Sequence, residues 1–330
     1  VTTPEFGEPE KKAEKGTKYS ELFGWDEVIL KGKEDFIVQT YSDTERVPEL
    51  DPNRIIDHEV MYPFVLSMQP KMKGMKVMFV GPTGSGKTTA VEHYCTKVNK
   101  NMYRINGRQD MESDTIIGRW VVGAGDSGMV FHKGEFPKAL LNGDIILIDE
   151  PWKIPNGIWM TLQRVMERGG VLQIDDMTGD VADKTIVPHE ESRIVLADNV
   201  VGTGDNVEQY GATMIQDGST LNRVDVVLRV DYLKQEQETE LLAAKYPLLV
   251  PKNSNGDRGM QNVERMVRML NLLRNGYDTN ELSSPASLRN VETWAELACS
   301  VRSYEDAFKW TLLNRYADDS ERAAVIAHYY

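Results

Sequence analysis

The sequence predicts an α/β protein: a parallel five-stranded sheet between helices, followed by an α-helical lid domain. Three observations carry that prediction. From residue 76 to residue 233, short apolar runs alternate with helical patterns, as in a parallel sheet covered on both faces. The first run leads into a glycine loop, Gly81-Pro82-Thr83-Gly84-Ser85-Gly86-Lys87-Thr88, which opens a helix. After Leu233 the strand signal stops and helical periodicity alone continues.

Taken in order, residues 1–20 are rich in Glu and Lys with few large apolar side chains, so residues 1–45 read as a flexible arm with short extended pieces at 25–30 and 36–38. Residues 51–68 read as a helix interrupted at Pro63. The strands are expected at 77–80, 102–105, 145–148, 194–197 and 226–230. The helix after the glycine loop has Val91, Tyr94, Cys95 and Val98 on one face. Trp120-Val121-Val122 and Met129-Val130-Phe131 flank a glycine-rich stretch, 123–128, and read as a hairpin. Another helix aligns Ile158, Leu162, Val165 and Met166 and ends at Gly169-Gly170. A second hairpin is expected from 171–174 and 185–187. Four helices follow near 234–246, 260–274, 287–300 and 303–316. The domain reading is an arm at 1–45, a nucleotide-binding domain at 46–233 and a helical lid at 234–330.

The chemistry is concentrated at strand tips. Glycines let backbone N–H groups close around phosphate oxygens, and the helix N-terminus adds partial positive charge. Lys87 would reach the β- and γ-phosphates, and the Thr88 hydroxyl would ligate magnesium. The apolar run 145–148 delivers two adjacent carboxylates, Asp149 for the magnesium shell and Glu150 to polarise an attacking water. Asp198-Asn199 tips a neighbouring strand, where a polar side chain can touch that water or the γ-phosphate.

Composition limits the partners. The 330 residues hold 38 Lys and Arg against 51 Asp and Glu, a formal net charge of −13. Such a chain is a poor general binder of nucleic acid or of an anionic membrane. No stretch has transmembrane length and the start is not a signal peptide. The two cysteines, Cys95 and Cys299, read as buried free thiols in a reducing cytoplasm. His58, His93, His132, His189 and His328 are scattered and form no metal-ligand spacing.

The order of these parts resembles the AAA+ ATPases. The stretch "GMVFHKGEFPKALLNGDIILIDEPWK" with "LQRVMERGG" is similar to their MoxR branch. Within it, "VPELDP" (47–52), "LADNVVGTGD" (196–205), "LNRVDVVLRVDYL" (221–233) and "SLRNVETWAE" (287–296) resemble the ATPase subunits of aerobic cobaltochelatases. The resemblance implies ATP with Mg2+ as cofactors and a phosphate loop of Gly81, Pro82, Thr83, Gly84, Ser85, Gly86, Lys87, Thr88 and Thr89. It implies Asp149 and Glu150 as the acidic pair, and Asn199 as the sensor of the γ-phosphate. Asn106 matches a residue that restrains the catalytic glutamate. Arg223 matches the arginine finger that reaches the neighbouring subunit's ATP, and Arg289 the second sensor on the lid. Here the family has Pro before that arginine and this chain has Leu288.

The resemblance further implies a homo-oligomeric ring, hexameric, that remodels a protein client. The chelatase reading adds partner subunits, one holding corrin and metal and one with a von Willebrand-type domain. The first hairpin would then point toward the pore or a partner. A MoxR-like chaperone with another client, viral or host, has the same site. A nucleic-acid motor fits the acidic balance poorly, and a small-molecule kinase has no need of Asn199, Arg223 and a lid together.

Overall fold

A computed structural model describes residues 15–25, 32–43, 45–49, 51–53, 55, 57–122, 128–175, 177, 180, 184–200, 222–250, 261–301 and 303–329. They divide into two compact units. One comprises the chain to Leu50, His58–Gly81 and Lys87–Arg229; the other comprises Asp51–Asp57, Pro82–Gly86 and Val230–Tyr330.

The strands of the first unit are β1 (Lys15–Lys18), β2 (Ile37–Thr40), β3 (Val77–Val80), β4 (Met102–Asn106), β5 (Gly118–Val122), β6 (Met129–Lys133), β7 (Ile145–Asp149), β8 (Leu172–Gln173), β9 (Thr185–Ile186), β10 (Arg193–Asp198) and β11 (Val226–Arg229). Five of them form a parallel sheet in the order β11-β3-β10-β7-β4. Val77, Met78, Phe79 and Ile145 to Leu147 are fully buried, which is why these strands read as continuous apolar runs rather than alternating ones. Burying each such side chain contributes about 1.5–3 kcal/mol. The helices Lys87–Val98, Glu135–Asn142 and Asn156–Met166 each bury one stripe. It consists of Val91, Tyr94, Cys95 and Val98 in the first, and of Ile158, Leu162, Val165 and Met166 in the third.

Two segments before the glycine loop depart from the sequence expectation. The arm carries ordered elements from Lys15 onward: β1 pairs antiparallel with β2, and Tyr19–Phe23 is a short helix. Tyr19 is fully buried, with the rings of Phe23, Trp25, Phe36 and Tyr62 centred 5.0–5.2 Å from it. Trp25 Nε1 donates to Nε2 of His58. Each aromatic buries about 150–250 Å², so a few of them fasten a segment whose overall composition is polar. The second departure is the helix expected at 51–68, which runs only over His58–Ser67, with Pro63 inside it. Pro52 disfavours helical backbone at Asp51, and 51–57 belong to the other unit.

Both hairpins form. β5 and β6 pair with Trp120 opposite Phe131, their rings edge to face at 5.6 Å. Val122 is 81% and Met129 58% exposed near its tip, whose residues 123–127 lie outside the described ones. β8 and β9 make the smaller hairpin.

The second unit is helical: Gln235–Lys245, Gln261–Asp278, Leu288–Val301, Tyr304–Thr311 and Asp319–Tyr329. Val263, Met266, Val267 and Leu270 pack with Val291, Trp294, Ala295 and Phe308. The last helix was not expected, and the one expected at 303–316 stops at Thr311 before a 3-10 turn, Leu313–Arg315. A buried ion pair, Arg274 with Glu238 at 2.8 Å, lies among these helices, and the Arg274 guanidinium stacks 3.5 Å over the Tyr232 ring. Lys245 bridges Asp51 at 2.9 Å and Glu292 at 2.8 Å. Among the described residues, no helix is long and apolar enough to cross a membrane.

Candidate active site

Parallel register places the C-terminal ends of four strands along one edge of the sheet. Asn106 pairs with Asp149, Ala197 with Asp149, and Asp198 with Val80. This edge is where ligands of open parallel sheets bind, and the glycine loop leaves from it: Gly81 N donates to the Asp198 carbonyl at 3.3 Å.

Lys87 turns back into this edge. Its Nζ donates to the Gly81 carbonyl at 2.7 Å and to Asn199 Oδ1 at 2.9 Å. Burial depresses the Lys87 amine to about 8, against the opposing pull of Asp149, Asp198 and Glu150. Asn199 is aimed by its neighbour: Asp198 Oδ1 accepts from the backbone N–H groups of Asn199 at 2.7 Å and Val200 at 3.3 Å. Burial raises the Asp198 carboxyl to about 6.

The acidic pair divides at the end of β7. The Thr88 hydroxyl donates to Asp149 Oδ2 at 3.1 Å. Glu150 leaves the strand in the left-handed region, φ 53° and ψ 51°, which costs a non-glycine residue about 1–2 kcal/mol. Strain of this kind collects where a side chain must be aimed. The turn redirects Glu150, and its Oε1 meets Lys153 Nζ at 2.8 Å. Gly107 supports the turn from the neighbouring strand: its N–H donates to the Asp149 carbonyl at 2.7 Å, and a Cβ there would lie 2.1 Å from the Glu150 carbonyl oxygen. Asn106, exposed, sits just before it.

In the loop itself Gly84 and Gly86 have φ of 79° and 97°. The Ser85 hydroxyl is buried without a hydrogen-bond partner among the described residues. A Cβ on Gly84 would fall 2.5 Å from that of Ser287, and the Tyr232 hydroxyl donates to the Thr83 carbonyl at 3.3 Å. Pro82 opens this stretch, and Thr89 lies in the first turn of Lys87–Val98. Arg289 is the second residue of Leu288–Val301.

Arg223 lies elsewhere. It precedes β11, whose Val226 pairs with Val77, so it sits beyond the N-terminal end of the sheet. There its Nη2 donates to Glu167 Oε1 at 3.1 Å.

Three basic or glycine positions at this edge escaped the sequence reading. Arg104 on β4 donates from Nη2 to Asp149 Oδ2 at 2.5 Å. Lys153 and Gly107 hold Glu150 as described. Gly107 carried a signal, as a glycine directly after a strand end; the two cations read like any solvated charge.

The donor set fits a nucleoside triphosphate with magnesium. A buried amine, left-handed glycines and an orphaned buried hydroxyl suit phosphate oxygens. A hydroxyl paired with a carboxylate is the hard oxygen ligation that Mg2+ takes.

Residues 76–215 match the model of the AAA domain of the dynein-related subfamily. The chain is 30% identical over 298 residues to the aerobic cobaltochelatase subunit CobS of a Sinorhizobium species, covering 89% of this chain and 86% of that protein. An uncharacterised protein of Staphylococcus aureus strain USA300 is 24% identical over 260 residues, 76% of this chain and 87% of that one. Among solved structures, a RuvB mutant of Thermotoga maritima aligns at 17% identity with a TM-score of 0.46, covering 81% of this chain and 72% of that one.

Proposed function

The chain belongs to the AAA+ ATPases, the family of the cobaltochelatase subunit CobS, and from that premise we propose that it is a ring-forming motor that couples ATP hydrolysis to the remodelling of a protein partner. The observation that carries the reading is the convergence of Lys87, Asn199, Thr88, Asp149 and Glu150 on one edge of the sheet. Lys87 and the loop from Gly81 to Thr89 bind the phosphates, and the family resemblance gives Arg289 the role of a second sensor. Thr88 and Asp149 hold Mg2+, which when bound screens the phosphate charge. Glu150 takes the proton of the attacking water, and Lys153 and Asn106 are the groups that steer it. Asn199 orients that water from the next strand.

Arg223 completes a different copy's site. A four-residue strand spans about 13 Å, and Arg223 starts beyond the far end of β11, so it cannot reach its own phosphate loop without unravelling the sheet. A ring, hexameric in our reading, puts it against the neighbour's ATP. The client we favour is the partner machinery of a metal chelatase, by kinship with CobS.

The test is an ATPase assay with two variants. Lys87→Ala should lose nucleotide binding and hydrolysis together. Glu150→Gln should bind ATP and lose about 10²–10⁴-fold in turnover. Wild-type turnover in Glu150→Gln would remove Glu150 from the chemistry.

A further inference from the structure

The carboxylate proposed to hold magnesium is already bound to a cation of its own chain. Asp149 Oδ2 accepts from Thr88 Oγ1 at 3.1 Å and, at the same oxygen, from Arg104 Nη2 at 2.5 Å. Arg104 reaches it from the adjacent strand: Arg104 pairs with Leu147 in the β4–β7 register, one pleat short of the Asn106–Asp149 pair. The Asp149 side chain is only 15% exposed, so a charge-assisted bond there is poorly screened. The Arg104 side chain is 42% exposed, so it has room to swing away.

We propose that Arg104 is a resident counter-cation of Asp149, which holds this carboxylate in the metal-free site and must be displaced when Mg2+ binds. It thereby sets the Mg2+ concentration at which nucleotide binds productively. The inference rests on the nucleotide-site reading above. The physics is competition for one oxygen. A divalent ion held by Thr88 and Asp149 sits beside the guanidinium on Oδ2, where like charges repel, and ligation through that oxygen takes a lone pair that Arg104 now occupies. Arg104 is thus a positioning residue, and its effect is on metal affinity rather than on the chemical step. A strong charged hydrogen bond that has to be given up weakens apparent Mg2+ affinity by about tenfold.

The experiment titrates Mg2+ into the full chain with a fluorescent ADP, and repeats ADP binding in EDTA. Arg104→Gln should lower the Mg2+ concentration for half-saturation about tenfold and leave affinity in EDTA unchanged. Arg104→Lys, which keeps the charge with one donor group, should fall between it and wild type, and remains readable if the Gln variant melts early. An unchanged or higher Mg2+ requirement in Arg104→Gln would overturn the proposal. So would a loss of ADP affinity in EDTA, which would mark Arg104 as a phosphate ligand. Asp149→Asn separates the two readings. If neither it nor the metal alters ADP binding in the wild-type background, the site reading itself is wrong; if both do and Arg104→Gln does not, only the counter-cation role falls.

Discussion

Lys87 is the residue on which charge and burial disagree most usefully. Its amine is depressed to about 8 because the fold buries it, yet its proposed task requires the charged form. For folding, the sign is clear. Between pH 8 and about 10.5 the unfolded chain holds a proton here that the folded chain has lost, so this group alone makes stability rise with pH across that window. Below pH 8 both states are charged and the fold carries the full burial penalty. For phosphate binding the sign reverses. Affinity for ATP should be flat below pH 8 and decline above it, since the neutral amine attracts no phosphate. A pH series of nucleotide dissociation constants checks this, and a profile flat to pH 10 would place the functional charge elsewhere. Glycine-loop chemistry of this kind is legible in sequence because its residues are adjacent. The Lys87–Asn199 bond is legible only through strand order, and the Arg104 and Lys153 contacts not at all. A lone Arg inside Met102–Asn106, or a Lys three residues after an acid, has no local pattern that separates an ion pair from a solvated charge.

Elements with one buried stripe or two buried faces were legible for the same physical reason that they fold. The sheet strands and the Asn156–Met166 helix are examples. The final helix, Asp319–Tyr329, buries only Val325 fully, so its apolar period is too sparse to read. Of the N-terminal clasp only the extended piece at 36–38 was legible, as part of β2; average composition hid the cluster of five aromatic rings. That clasp has an acid sensitivity. His58 is depressed to about 4, chiefly by burial, and accepts from Trp25. Its folded pKa lies below the unfolded value, so the stability it contributes is present above pH 6.5 and is lost as pH falls toward 4. Limited proteolysis should therefore cut between residues 15 and 43 sooner at pH 4.5 than at pH 7. His58→Gln keeps an acceptor without the titration and should blunt the difference; equal sensitivity in both proteins would show that His58 is not the trigger. The β5–β6 hairpin invites a different test. Val122 and Met129 are large apolar side chains left in solvent, and we read them as client-facing. Asp at both positions should spare basal hydrolysis and abolish its stimulation by a bound client; loss of basal hydrolysis as well would indicate a role in the fold.

At the scale of the whole molecule, the decisive geometry is that the proposed base and the proposed finger lie at opposite ends of one sheet. Glu150 follows the C-terminal end of β7, and Arg223 precedes the N-terminal end of β11, engaged there with Glu167. A closed ring of identical subunits repeats one heterologous interface, so each subunit can offer its finger to one neighbour and take another from the next. Two inactive variants should then rescue one another. Arg223→Ala supplies intact Glu150 sites without fingers, and Glu150→Gln supplies fingers without a working base. Each alone should fall far below wild type, since a finger in trans is worth about 10³–10⁵ in rate. Mixed in equal amounts and allowed to reassort, roughly a quarter of the interfaces join an intact Glu150 to an intact Arg223, so about a quarter of wild-type turnover should return. Rescue should fade on dilution as the rings dissociate. A mixture no more active than its components, under conditions where subunits demonstrably exchange, would confine each site to a single chain and leave Arg223 as a surface partner of Glu167.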